Sequence, residues 1–220
     1  MMVLEFKGVT GRDKKWKFKK SFKLKDINFA LEPGYMMGLA GKNGAGKTTL
    51  VHYIIDEKYD FDGEILVDGK SVKAQHREVL DRIGFISEEN NLFTEFTLRD
   101  NAKLIGPFYS KWDMALFEEA CKKMELSMGM KVSQLSRGQN MKFQLALAMA
   151  HRPKLYLIDE ATAGMDPIFR KEFFRMLRTM IQSEEASVLL ITHIEEELEV
   201  AMDYVGVMED GRLISFETTL

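Results

Sequence analysis

The chain has 220 residues, 45% hydrophobic and 30% charged, with 16 Gly and only 4 Pro. That suits one large domain with a buried core and excludes disordered, collagenous and coiled-coil classes. Its 31 Lys and Arg against 34 Asp and Glu leave a net charge of −3, so any nucleic-acid role would need a local basic patch.

Taken in chain order, the first apolar β-rich run is 3–9, and a second pattern follows at 15–25. There lysines alternate with Trp16, Phe18, Phe22 and Leu24, the period of a half-exposed strand. Basic residues interleaved with aromatics also suit phosphate contact and base stacking, but the alternation alone accounts for the charges. Further strands are expected at 35–40, 83–87, 155–158 and 188–192, several of them apolar on consecutive positions as strands covered on both faces are. Helical periodicity lies between them at 47–57, 112–124, 138–151 and 167–181. Alternating strands and helices imply an α/β domain with a mostly parallel sheet. Asp68-Gly69 and Asp210-Gly211 sit between strand-like flanks and predict tight hairpins, hence an additional antiparallel portion. Residues 88–135 are helix-rich with no convincing strand, which suggests a helical subdomain inserted into the core.

Cys121 is the single cysteine, which excludes an internal disulfide and points to a reducing, cytosolic setting. The best apolar runs, 143–150 and 188–191, fall well short of the roughly 20 residues of a bilayer span. Residues 1–6 meet Glu5 and Lys7 too early for a secretory signal, so the chain is expected to reach a membrane only through a partner.

Between the strand at 35–40 and the helix at 47–57 lies Gly41-Lys42-Asn43-Gly44-Ala45-Gly46-Lys47-Thr48, which fits G-x-x-x-x-G-K-[ST] in the strand–loop–helix setting that motif requires. Glycines let the backbone N–H groups turn inward, and the helix start adds its positive dipole end, so a polyphosphate is held by amides. Lys47 reaches the β and γ phosphates, and the Thr48 hydroxyl suits Mg²⁺. Thr49 follows on the same helix and completes the candidate nucleotide-binding set.

The strand at 155–158 runs into Asp159-Glu160, placing two carboxylates at the strand edge where open α/β sheets bind ligands. Adjacent acids repel unless a cation lies near them, and Mg²⁺ on a nucleotide supplies one. Asp159 then holds the metal through water, and Glu160 orients the attacking water. Further along, Ser136 and Gln139 of Leu135-Ser136-Arg137-Gly138-Gln139 form an S-x-x-Q capping box. Gly138 lowers helix propensity there but lets a phosphate approach, which makes a second anion cradle. One nucleotide has no need of two cradles, so two chains placed head to tail, each covering the other's nucleotide, are the economical arrangement.

GKNGAGKT, LSRGQ and LYLIDE, in this order and with a helical stretch between the first two, resemble the ATP-binding subunit of ABC transporters. The resemblance covers essentially the whole chain. It implies a P-loop NTPase core formed by 1–87 and 152–220, with 88–151 as the helical subdomain that carries the signature. It also implies Mg²⁺-dependent ATP hydrolysis by an ATP-closed dimer of two ATP-binding subunits, identical or related. That dimer would drive a separate transmembrane subunit from the cytoplasmic face of the membrane. In that family an aromatic ahead of the phosphate loop stacks on adenine, here Phe18 or its rival Trp16. Glu88 stands where a Gln usually serves Mg²⁺ and the membrane partner, a variant similar to that of small exporter ATPases. Asp166 matches the loop crossing the dimer seam and is also a plain N-cap before Pro167. His193 matches a residue that contacts the γ phosphate and attacking water. Ala161 and Arg137 depart from the family's usual proline and glycine. The alternative function is a soluble ATPase of the same class in nucleic-acid, translation or cofactor-assembly work. Only the 15–25 strip favours it, so no nucleic-acid partner is expected.

Overall fold

Strands that are apolar on consecutive positions need cover on both faces. The computed structural model describes residues 1–12, 23–88, 92–160, 166–184, 186–192, 198 and 202–219 and supplies that cover. In chain order the elements are β1 (Leu4–Gly11), β2 (Ile27–Leu31), β3 (Met36–Ala40), α1 (Lys47–Ile55), β4 (Phe61–Val67), β5 (Lys70–Ser71), α2 (His76–Leu80) and β6 (Ile83–Ser87). After them come α3 (Leu98–Ile105), α4 (Met114–Lys123), α5 (Arg137–Met149), β7 (Leu155–Asp159), α6 (Pro167–Glu184), β8 (Ser187–Ile191), β9 (Tyr204–Glu209) and β10 (Arg212–Thr218).

Two sheets form. One has the order β10-β9-β3-β8-β7-β6, parallel throughout except for β10, which folds back antiparallel on β9. The other, β2-β1-β4-β5, is antiparallel. Both Asp-Gly hairpins form as expected, with positive φ at Asp68 (48°), Gly69 (73°), Asp210 (45°) and Gly211 (80°). Positive φ at both central residues is the turn that matches the twist of the flanking strands, and Asp-Gly tolerates it.

The parallel sheet divides the core in two. Met36, Tyr156, Ile158, Val188 and Leu190 face α4, α5 and α6, whereas Met37, Leu39, Leu155, Leu157, Leu189 and Ile191 face α1 and the antiparallel sheet. Alternate residues along one strand therefore enter different cores, and polar residues on β7 and β8 are confined to the strand ends, Asp159 and the buried Ser187.

Caps set the helix boundaries more closely than periodicity did. α4 starts at Met114, two residues later than its pattern suggests, because Asp113 accepts from the N–H groups of Ala115 and Leu116. α5 starts at Arg137, one residue early, behind the predicted capping box, and ends at Met149, ahead of the expected 151. Between β6 and β7 the described residues form helices and two short 3-10 turns, with Thr97–Lys131 as an isolated bridge. Most of the 15–25 strip, with Trp16 and Phe18, lies outside the described residues. Its end, 23–25, forms no strand, although Leu24 is buried and Lys25 exposed as the alternation required.

Just past α5, His151 is 2% exposed and stacks on Tyr109 with ring centroids 3.8 Å apart. Its Nδ1 has no hydrogen-bond partner, and burial pushes its pKa down to about 4, against the opposing pull of Asp81. The unfolded ring titrates near 6.5, so between roughly pH 6.5 and 4 the unfolded chain binds the extra proton and stability falls with pH. The expected loss is about 3 kcal/mol at pH 4 relative to pH 7, beyond that of His151→Phe, as measured by urea unfolding of both proteins. Parallel pH profiles for the two would show that the ring does not titrate in this way.

Candidate active site

All five parallel strands end at one edge, and the functional side chains gather there. Beyond β3 the chain turns through Gly41, Gly44 and Gly46 with φ of 146°, 83° and 111° before entering α1. A Cβ on Gly41 would lie 2.4 Å from the Met208 carbonyl oxygen, so only glycine fits where the loop passes β9. The Ala45 N–H donates to Lys42 O, closing the loop, and the Ala45 carbonyl accepts from Gly211 N–H at 2.9 Å. Lys47 is 4% exposed, and its Nζ donates to the carbonyls of Gly41 (2.6 Å) and Lys42 (3.3 Å). Its ammonium is thereby folded across the loop, while Asn43, Gly44 and Thr48 stay exposed and Thr49 is half-buried.

β7 delivers the carboxylates. Thr48 Oγ1 donates to Asp159 Oδ1 at 3.4 Å, joining residues that lie 111 positions apart. A hydroxyl and a carboxylate side by side are hard oxygen donors of the kind Mg²⁺ prefers, so the pair fits that ion. Glu160 follows with φ of 49°, and its N–H donates to Ile191 O at 3.0 Å. Left-handed backbone at a non-glycine residue is strained and persists where the surroundings enforce it. Here that hydrogen bond to β8 helps to do so, and the turn redirects the chain immediately after Asp159. His193 lies outside the described residues, as do 161–165.

At the start of α5, Ser136 Oγ accepts from Gln139 N–H (3.2 Å) and Gln139 Oε1 accepts from Ser136 N–H (2.9 Å), the reciprocal cap that the sequence implied. Gly138 is half-buried in the first turn. Among the described residues no hydrogen bond or ion pair links this cap to the loop at 41–49, so the two cradles are separate within one chain. Asp166 caps α6, its Oδ1 accepting from Ile168 N–H at 2.8 Å. Glu88, at the end of β6, carries its carboxylate to the Arg137 guanidinium at 2.6 Å.

Gln144 was missed by sequence reasoning. It is 8% exposed and clamps Ser87 by both main-chain groups, accepting from its N–H at 3.0 Å and donating to its C=O at 2.9 Å. The signal was available, since Gln144 interrupts the apolar run 143–150, and a buried amide in such a run must find a partner.

The family model for ABC transporters matches residues 24–163. Similar proteins include the ABC transporter ATP-binding protein YtrB of Bacillus subtilis, 30% identical over 86% of this chain and 65% of its own length. The methionine import ATP-binding protein MetN of Corynebacterium efficiens is 33% identical over 97% of this chain and 62% of its own. The Nod factor export ATP-binding protein I of Rhizobium johnstonii is 34% identical over 86% and 62%. The chain thus spans somewhat under two thirds of the length of these curated relatives. A solved structure of an ATP-binding subunit of an ABC transporter superposes with a TM-score of 0.85 at 25% identity, covering 99% of this chain and 90% of that one. With its phosphate loop, strand-end carboxylates and signature helix in the order and places described, the chain belongs to the ABC transporter family.

Proposed function

We propose that the chain hydrolyses ATP as one half of a head-to-tail dimer and powers a separate transmembrane subunit in export. The observation that carries this reading is the pairing of Thr48 with Asp159 beside the phosphate loop, while a second capped helix start stands apart on the same chain. Loop amides and Lys47 bind the phosphates, and Lys47 exchanges its carbonyl contacts for them. Thr48 and Asp159 hold Mg²⁺, with Glu88 as a further candidate ligand, and the ion neutralises phosphate charge when bound. Glu160 accepts the proton of the attacking water, and His193 helps to place that water. Ser136, Gly138, Gln139 and Asp166 face the nucleotide of the other chain, and Phe18 stacks on adenine. The segment 88–151 acts as the signature-carrying subdomain.

Among the described residues no helix is long and apolar enough to cross a membrane. The relatives named above serve import and export alike. The Glu88 variant is what favours export. The test is phosphate release by the purified chain. Activity is expected to rise more steeply than linearly with protein concentration and to vanish in EDTA. A rate per chain that is independent of concentration and of divalent ions would refute the paired, Mg²⁺-dependent mechanism.

A further inference from the structure

Two of the three departures from the family pattern, Glu88 and Arg137, touch each other. Their side chains are 57% and 44% exposed, and the carboxylate meets the guanidinium at 2.6 Å. Arg137, Asn140 and Gln144 occupy one stripe of α5, and that stripe lies along the end of β6. Gln144 clamps Ser87, and its amide N–H also donates to Asn140 Oδ1 at 3.3 Å, so the main chain leading into Glu88 is fixed against α5. The carboxylate is thus delivered to Arg137 by a rigid support.

Building on the paired-chain reading, we infer that Glu88 is a positioning residue acting through Arg137: its carboxylate competes with the phosphates of the nucleotide carried by the second chain for one guanidinium. Arg137 adjoins the Ser136 cap, where those phosphates arrive. A planar guanidinium binds carboxylate and phosphate oxygens with the same fork of donors, so either anion satisfies it and both cannot do so fully. An ion pair this exposed contributes little to stability, which makes it readily exchanged. A polyphosphate with more charge displaces it, and Glu88 is then released toward the metal side of the site. In the isolated chain the carboxylate holds Arg137 in its own service and sets a threshold that ATP-driven pairing must overcome.

The test uses the full chain carrying Glu160→Gln, with ATP and Mg²⁺, and measures the dimer dissociation constant by sedimentation equilibrium. Adding Glu88→Gln is expected to tighten pairing about threefold, within the range that exposed ion pairs allow. Adding Arg137→Gln is expected to weaken it by a similar factor, and the combined variant should match Arg137→Gln alone. A purely structural latch would instead weaken pairing in both single variants. Both side chains are exposed, so thermal unfolding of each variant should match that of the parent. A parent that remains monomeric with ATP overturns the paired-chain reading and the inference with it. A parent that pairs while Glu88→Gln pairs no more tightly, or tightens equally without Arg137, overturns the inference alone.

Discussion

Glu160→Gln is expected to bind ATP with near-normal affinity and to lose at least about 100-fold in turnover, the usual contribution of a positioned general base. The amide keeps the shape of the side chain and its backbone hydrogen bond to Ile191 but cannot accept the proton of the attacking water. Thr48, Asp159 and Lys47 are untouched, so binding and hydrolysis separate, and pairs loaded with ATP accumulate. Single-turnover assays and nucleotide titration read the two quantities independently. Turnover at the wild-type rate would show that another group activates water, and the strained backbone at Glu160 would then need a different explanation.

Asp203→Ala should produce the largest loss of stability outside the apolar core, about 3 kcal/mol. Asp203 is 5% exposed and immediately precedes β9. Its carboxylate accepts from Met36 N–H at 2.7 Å and from the Arg178 guanidinium on α6, while its own N–H donates to Met36 O at 2.8 Å. One residue therefore joins β9, β3 and α6. Removing the carboxylate leaves the Met36 N–H buried without its acceptor and takes one ion-pair partner from Arg178. Arg178 has a side chain 32% exposed and reaches water, which keeps the penalty below that of a fully buried pair. A melting temperature lower by roughly 10 °C is expected for a chain of this size. Asp203→Asn, which retains an acceptor for Met36, should fall between the two. Equal stability for Asp203→Ala and wild type would show that Arg178 and Met36 find other partners.

Local chemistry made much of this architecture legible in the sequence. The Asp-Gly turns, the Ser136–Gln139 cap and the phosphate loop each depend on residues within a few positions of one another, and apolar runs place β7 and β8 inside the sheet. Helix ends were less legible because a single acceptor such as Asp113 overrides the periodic pattern. Apart from Thr48 and Asp159, which a shared ion linked, long-range pairs were not legible. Nothing at Glu88 announces Arg137, and nothing at Met36 announces Asp203, because those contacts exist only once β6 meets α5 and β9 meets β3. Phe18, Trp16 and His193 lie outside the described residues, so their roles rest on the resemblance alone.

The glycine-rich loop near the beginning of the chain is braced by its end. Gly41 passes against the Met208 carbonyl, and Ala45 is held by Gly211. The loop therefore lacks its outer support in any state in which β9 and β10 are not docked. Competence to grip nucleotide is thus coupled to the docking of that hairpin, far from the loop in sequence.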